Sequence, residues 1–204
     1  QMDGLDARGI KYDICPGVSS FCGAAAALGM EYTLPGISQS VVITRMAGRT
    51  PVPERESIEK FAAHGSTMVI FLSAGMTGEL SEELVKGGYP GDTPAAIVYK
   101  ATWPDEKVVR CTVATLEETA DREGIHKTAL IVVGNTVAQT GYERSKLYDP
   151  AFTTGFRAGR EIVLEPGTLY VVGMGPGEKK QMTGQALEVM GRCQVIAGYT
   201  VYVD

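Results

Sequence analysis

The chain has 204 residues, 44% apolar and 21% charged, the composition of a soluble globular protein with a buried core and room for one or two domains. A net charge of -5 argues against nucleic acid as a partner, and no apolar run approaches the ~20 residues of a membrane helix, so no membrane is expected and the cytoplasm is the expected compartment. Cys15, Cys22, Cys111 and Cys193 show no C-x-x-C pairing and His64 and His126 stand apart, so neither a disulfide framework nor a metal site is expected.

In chain order, residues 1–8 read as the tail of a helix closed by Gly9, and 12–15 as the end of a strand. Pro16 and Gly17 break that strand, Ser19 and Ser20 can cap a helix start, and an alanine-rich helix over 22–28 stops at Gly29. Strands are expected over 38–46, 67–73, 95–101 and 128–133, with a hairpin-like return over 106–113. Helices are expected over 54–64, 78–87 and 116–123 between them. Strands alternating with amphipathic segments make an α/β protein, a mixed-sheet αβα sandwich lobe.

The pattern weakens after residue 136, and a linker is expected over 158–167. A strand over 168–172, a glycine loop, a helix over 179–190 and a strand over 193–197 then read as a partial β-α-β from a second module. About 40 residues are too few to fold alone without staples. Because the chain opens on Gln1 inside a helix and halts at Asp204 after a strand, it is expected to be a piece of a longer one.

Several stretches could carry a site. Orphan amides at the start of the alanine-rich helix would face the end of a sheet, where α/β proteins hold small ligands, although an ordinary strand-turn-helix joint explains the same residues. Arg45 and Arg49 follow a strand and suit carboxylate recognition, since each guanidinium offers a planar fork of donors; plain surface arginines fit as well. Phe71-Leu72-Ser73-Ala74-Gly75 and Tyr99-Lys100-Ala101-Thr102 end two strands that should reach one sheet edge. In Gly173-Met174-Gly175-Pro176-Gly177-Glu178 a dinucleotide fingerprint would need glycine at 178, and Pro176 removes an amide that a pyrophosphate would use. No Ser-His-Asp order, metal-spaced carboxylates or phosphate loop is present.

Val18-Ser19-Ser20-Phe21, Ile43-Thr44-Arg45 with Gly48-Arg49-Thr50-Pro51-Val52-Pro53, Met68 through Ser73, Tyr99 through Lys107 and the stretch 142–150 together resemble the tetrapyrrole (corrin/porphyrin) methylases. The resemblance covers residues 1–157. It implies two α/β lobes with S-adenosylmethionine between them, S-adenosylhomocysteine as product, and methyl transfer to C(11) of precorrin-4, or its cobalt form, in cobalamin biosynthesis. Residues 168–204, with Leu169 through Gly177 and 195–199, are similar to the start of a sister enzyme acting at C(17) of precorrin-3B.

The expected organisation is therefore the end of an amino-terminal lobe with an interlobe strand and helix (1–29), a carboxy-terminal lobe (30–157), a linker (158–167) and the truncated start of a second methylase domain (168–204). By the same resemblance Ser19, Ser20, Leu72, Tyr99, Lys100 and Ala101 contact the cofactor, and Gly175, Pro176 and Gly177 belong to the second module's cofactor loop. Arg45 and Arg49 would hold the acidic groups of the tetrapyrrole substrate, and a homodimer is expected of the intact enzyme. No catalytic acid or base is assigned.

Overall fold

The structure, a computed structural model, describes residues 2–142, 151, 153, 155, 167–175 and 179–198. The chain divides into two compact units, one of Gln1–Val18 with Val163–Asp204 and one of Ser19–Ile162. No helix among the described residues is long and apolar enough to cross a membrane.

The larger unit holds α2 (Ser20–Leu28), β1 (Val41–Arg45), α3 (Ile58–Ala62), β2 (Thr67–Phe71), α4 (Thr77–Lys86), β3 (Pro94–Tyr99), β4 (Lys107–Thr112), α5 (Leu116–Glu123) and β5 (Ala129–Val133). The smaller unit supplies α1 (Met2–Asp6) and α6 (Gly184–Arg192). The strands form one sheet in the order β1-β2-β5-β3-β4. β1 and β2 are parallel, while β5 runs antiparallel to both β2 and β3, and β4 antiparallel to β3. The sheet is mixed, as the residue pattern suggests. β1, β2 and β3 therefore point the same way and end on one edge, where β5 begins.

Side chains alternate between the two faces of a strand, and the core divides accordingly. Met68, Ile70, Ile97, Ile131 and Val133 pack with Ile58, Leu80, Leu84 and Leu116 of the helices on one face. Val69, Ala96, Val98 and Val132 pack on the other with Ala24 and Leu28 of α2. α4 shows why this sequence makes that helix. Thr77, Leu80 and Leu84 fall on one buried stripe, Lys86 lies in the last turn, and Gly87 closes it.

The differences from expectation are local. The strand expected over 38–46 shortens to β1 because Ser38 turns its hydroxyl to the next strand, accepting from the Thr67 amide at 3.1 Å. The helix expected over 54–64 becomes a 3-10 turn, Glu54–Glu56, followed by α3. Ser57 is extended between them, and its side chain accepts from the Lys60 amide, capping α3. Capping chemistry outweighs helix periodicity there.

In the smaller unit the strands expected over 12–15, 168–172 and 193–197 do not form, and the partial β-α-β reduces to its helix. Leu169 and Val171 are 87% and 94% exposed. An apolar, β-branched run becomes a strand only beside a partner edge, and none of the described residues provides one. The helix expected over 179–190 divides into a 3-10 turn, Lys179–Gln181, and α6, because Thr183 restarts it by accepting from the Ala186 amide at 3.1 Å. Pro176, Gly177, Glu178, Tyr199, residues 143–150 and most of the expected linker lie outside the described residues.

Three groups make stability sensitive to alkali. Burial raises the Tyr32 and Tyr89 phenols to about 12, and the Cys111 thiol to about 11, because their anions would be desolvated. Above its normal pKa each group ionises in the unfolded chain while staying protonated in the folded one, so folding takes up protons and loses free energy as pH rises. This contribution is complete below about pH 9, the lowest of the three ordinary values, and is lost progressively towards pH 12. Scanning calorimetry should show a melting temperature that falls steadily above pH 9. A flat profile to pH 11 would contradict the burial of these groups.

Candidate functional site

The shared edge of β1, β2 and β3 positions the site. The register places Arg45 beside Phe71 and Tyr99 beside both Ala129 and Lys107. Beyond these pairs the chain leaves the sheet in tight turns. Leu72 (φ 54°), Lys100 (φ 47°), Thr102 (φ 71°) and Thr128 (φ 56°) all adopt left-handed backbone. For residues with a Cβ this conformation costs roughly 1–2 kcal/mol each. Four of the five such non-glycine residues among the described residues sit on this one edge. Strain of this kind persists where the surroundings over-determine it, which marks an edge shaped for something other than stability.

Between these turns lies a cleft of about 370 Å³, walled by Leu72, Lys100, Ala101 and Thr128 with Ser20 at the start of α2. Leu72 is 81% exposed, a large apolar side chain held in a strained backbone with little protein around it. Two glycines permit the close approach that forms the walls. A Cβ on Gly23 of α2 would lie 3.1 Å from Thr102 Cγ2, and one on Gly75 would lie 3.2 Å from the His126 carbonyl.

Polar contacts fix the rims. Ser73 is fully buried; its hydroxyl donates to the Phe71 carbonyl at 2.7 Å and accepts from the Met46 amide at 3.0 Å, tying the ends of β1 and β2 together. Across the cleft Lys100 donates to Asp105 and lies over the rings of Tyr99 (5.1 Å) and Trp103 (5.4 Å). The Thr102 amide donates to the Glu106 carboxylate at 2.6 Å. The hydrogen bond from Lys100 to Asp105 pushes the ammonium above its ordinary range, and the same lysine holds the Asp105 carboxyl below its own. Lys100 is thus a fixed cation, and the 100–106 turn a braced loop.

Of the residues expected to contact a cofactor, the structure brings Ser20, Leu72, Lys100 and Ala101 into one cleft. Ser19 occupies the N-cap of α2 without a side-chain capping bond, and Tyr99 lies beneath the Lys100 ammonium; neither is in the cleft wall. Arg45, expected to hold a substrate carboxylate, is engaged with backbone of its own loop. Its Nη1 donates to the carbonyls of Met46 and Thr50, and its Nη2 to that of Pro51, so the guanidinium fastens its own loop. Those donors are committed to backbone because the loop folds back onto the strand end. Arg49 is exposed on that loop. Arg45 also borders a second hollow of about 350 Å³ with Ile43, Val52 and Phe71.

Gly175 belongs to the smaller unit, where its φ of 79° and a Cβ position 3.1 Å from the Gln181 carbonyl make glycine a steric requirement. The residue pattern does not mark Thr128, Trp103 and His126 as cleft residues, yet all three line it. Thr128 is legible only as the first residue of a strand. That this strand inserts between β2 and β3 is a property of the sheet order, which periodicity does not carry.

Residues 1–117 match the family described as Tetrapyrrole (Corrin/Porphyrin) Methylases. A cobalt-precorrin-4 C(11)-methyltransferase of Methanocaldococcus jannaschii is 49% identical over 157 residues, 77% of this chain and 61% of that protein. The chain thus spans about three-fifths of the length of this relative. The X-ray structure of a cobalt precorrin-4 methyltransferase superposes with a TM-score of 0.64 at 44% identity, covering 67% of this chain and 57% of the other. A uroporphyrin-III C-methyltransferase from Thermus thermophilus, solved with S-adenosylhomocysteine, shares the fold at a TM-score of 0.56 and 21% identity, over 68% and 59% of the two chains.

Proposed function

Since this chain belongs to the tetrapyrrole methylase family, we propose that its larger unit is the carboxy-terminal lobe of a C-methyltransferase that moves a methyl group from S-adenosylmethionine to C(11) of precorrin-4, or its cobalt form, in cobalamin biosynthesis. The observation that carries the reading is the convergence of Ser20, Leu72, Lys100 and Ala101 on one cleft at the shared strand edge. The residues fit an adenosyl-sized ligand. The cleft lies within the range of small-ligand pockets, roughly 300–1,000 Å³, and joins an exposed apolar side chain to a few placed polar groups.

The donor, when bound, supplies an already activated sulfonium methyl. What remains for the protein is alignment with the nucleophilic ring carbon and exclusion of water. Leu72 and the backbone of Lys100 and Ala101 would hold the adenosyl group. The Lys100–Asp105 pair keeps the 100–102 turn rigid, and the start of α2 closes the end. No side chain is assigned as acid or base.

In this reading Arg49 meets the acidic groups of the macrocycle, and Arg45 holds the loop that presents it. Residues 168–204 are the start of a second methylase domain in which Gly175, Pro176 and Gly177 form the cofactor loop, and the intact enzyme is a cytoplasmic homodimer. Calorimetric titration of the chain with S-adenosylhomocysteine tests the reading. A saturable, single-site binding heat is expected. No heat, with the chain folded by circular dichroism, would remove the cleft as a donor site.

A further inference from the structure

Resting on that reading of the cleft, we infer that Arg110 and Gln139 form a polar latch that sets the axial position of α2, and through it the position of Ser20 in the cleft wall. Neither residue lines the cleft. Both hold the other end of the helix.

α2 has the sequence Ser-Phe-Cys-Gly-Ala-Ala-Ala-Ala-Leu and buries only Ala24 and Leu28. It lies on a sheet face made of Val69, Ala96, Val98 and Val132. Between Phe21 and Leu28 the ridges are alanine against valine and alanine and are low, so along most of the helix interdigitation offers little resistance to sliding along the axis. Directional hydrogen bonds to groups fixed in the sheet must supply the register instead.

At the amino-terminal end the Tyr32 hydroxyl donates to the Phe21 carbonyl at 2.6 Å, and the bonds from β4 and from the turn after β5 lie at the carboxy-terminal end. Arg110 alternates with Val109 and Cys111, whose side chains pack on the opposite face, and it reaches the helix from β4. Its Nη2 donates to the Leu28 carbonyl at 3.0 Å and its Nη1 to the Val137 carbonyl at 2.5 Å. Gln139 Nε2 donates to the Gly29 carbonyl at 3.0 Å. Gln139 is the fifth described non-glycine residue with left-handed backbone (φ 54°), and of those five the one remote from the cleft edge. Its conformation closes the 3-10 turn Asn135–Ala138, and its side-chain amide meets the helix end. The Gly29 and Met30 amides take the carbonyls of Ala26 and Ala25, so these side-chain donors serve carbonyls that the backbone of the turn leaves over.

Nine helical residues span roughly 12 Å and move as a rod, so a displacement at Leu28 reaches Ser20 with little loss. Gly23, one turn from Ser20, reports that position because it meets the Thr102 methyl on the cleft side.

The test compares the wild-type chain with the double variant Arg110→Ala, Gln139→Ala and with Arg110→Lys, each held well below its melting temperature. One readout needs no ligand: the nuclear Overhauser effect between the Gly23 α protons and the Thr102 γ-methyl. The other is the affinity for S-adenosylhomocysteine. The inference expects the Overhauser effect to weaken or vanish in the double variant and the affinity to fall about fivefold, within the usual span of remote coupling. Arg110→Lys, which keeps a cation at the helix end, should lie between. If the double variant does not fold, Arg110→Lys alone carries both readouts.

A lower melting temperature with Overhauser effect and affinity both unchanged would make the latch purely structural and overturn the inference. So would an Overhauser effect that disappears while the affinity holds, because the link to Ser20 would be broken. If the effect disappears on mutation in a chain whose wild type binds no S-adenosylhomocysteine, the latch is supported and the assignment of the cleft refuted.

Discussion

Replacing Leu72 by glycine is expected to stabilise the chain and weaken its binding of S-adenosylhomocysteine at the same time. Leu72 holds a φ of 54° and is 81% exposed, so the side chain contributes strain and almost no packing to the folded state. Glycine adopts that backbone freely, and after allowing for its larger unfolded-state entropy the net gain is up to about 1 kcal/mol. A ligand in the cleft would instead bury the leucine. Removing a well-buried leucine side chain costs roughly 2 kcal/mol, or about thirtyfold in affinity. The two effects have opposite signs. Denaturant melts and calorimetry on the same preparation check both, and a variant that loses stability while keeping affinity would mean that Leu72 serves the fold.

Gly87→Ala should produce the largest loss of stability, about 3 kcal/mol, by overpacking. A Cβ at this position would lie 2.4 Å from both the Glu59 carbonyl and the Ala62 Cβ, so α3 and α4 touch here through backbone. Neither neighbour is a flexible side chain that could swing away. Gly87 caps the end of α4 that lies about 15 Å from Thr77, the residue that starts the helix next to the cleft loop. At temperatures where the variant is folded, its affinity for S-adenosylhomocysteine should therefore match that of the wild type. Urea unfolding measures the first effect, and a loss below 1 kcal/mol would mean that the helices separate without penalty.

What can be read from the residues, and what cannot, follows from the range of the interactions. α5 is legible to its last residue because Leu116, Thr119 and Ala120 mark its buried face and Gly124 stops it. The strand ends of the larger unit are legible because apolar runs break at polar or glycine residues. Their gathering on one edge follows from α/β geometry. The left-handed turns are not legible, since nothing in Leu72, Lys100 or Thr128 as residue types announces a positive φ; tertiary contacts impose it. Arg45 shows the same limit from the other side. A guanidinium after a strand is equally suited to a ligand carboxylate or to backbone carbonyls, and only the path of the following loop decides. The strands expected in the smaller unit fail because propensity is present and a partner edge among the described residues is not.

The most direct test is amide shift mapping of the isotope-labelled chain titrated with S-adenosylhomocysteine. The large perturbations should cluster at residues 20–23, 72–75, 100–103 and 128–129, the segments that form or flank a single cleft. Perturbations centred instead on the hollow beside Pro53, Lys60 and His64, or spread evenly through the sheet, would contradict it.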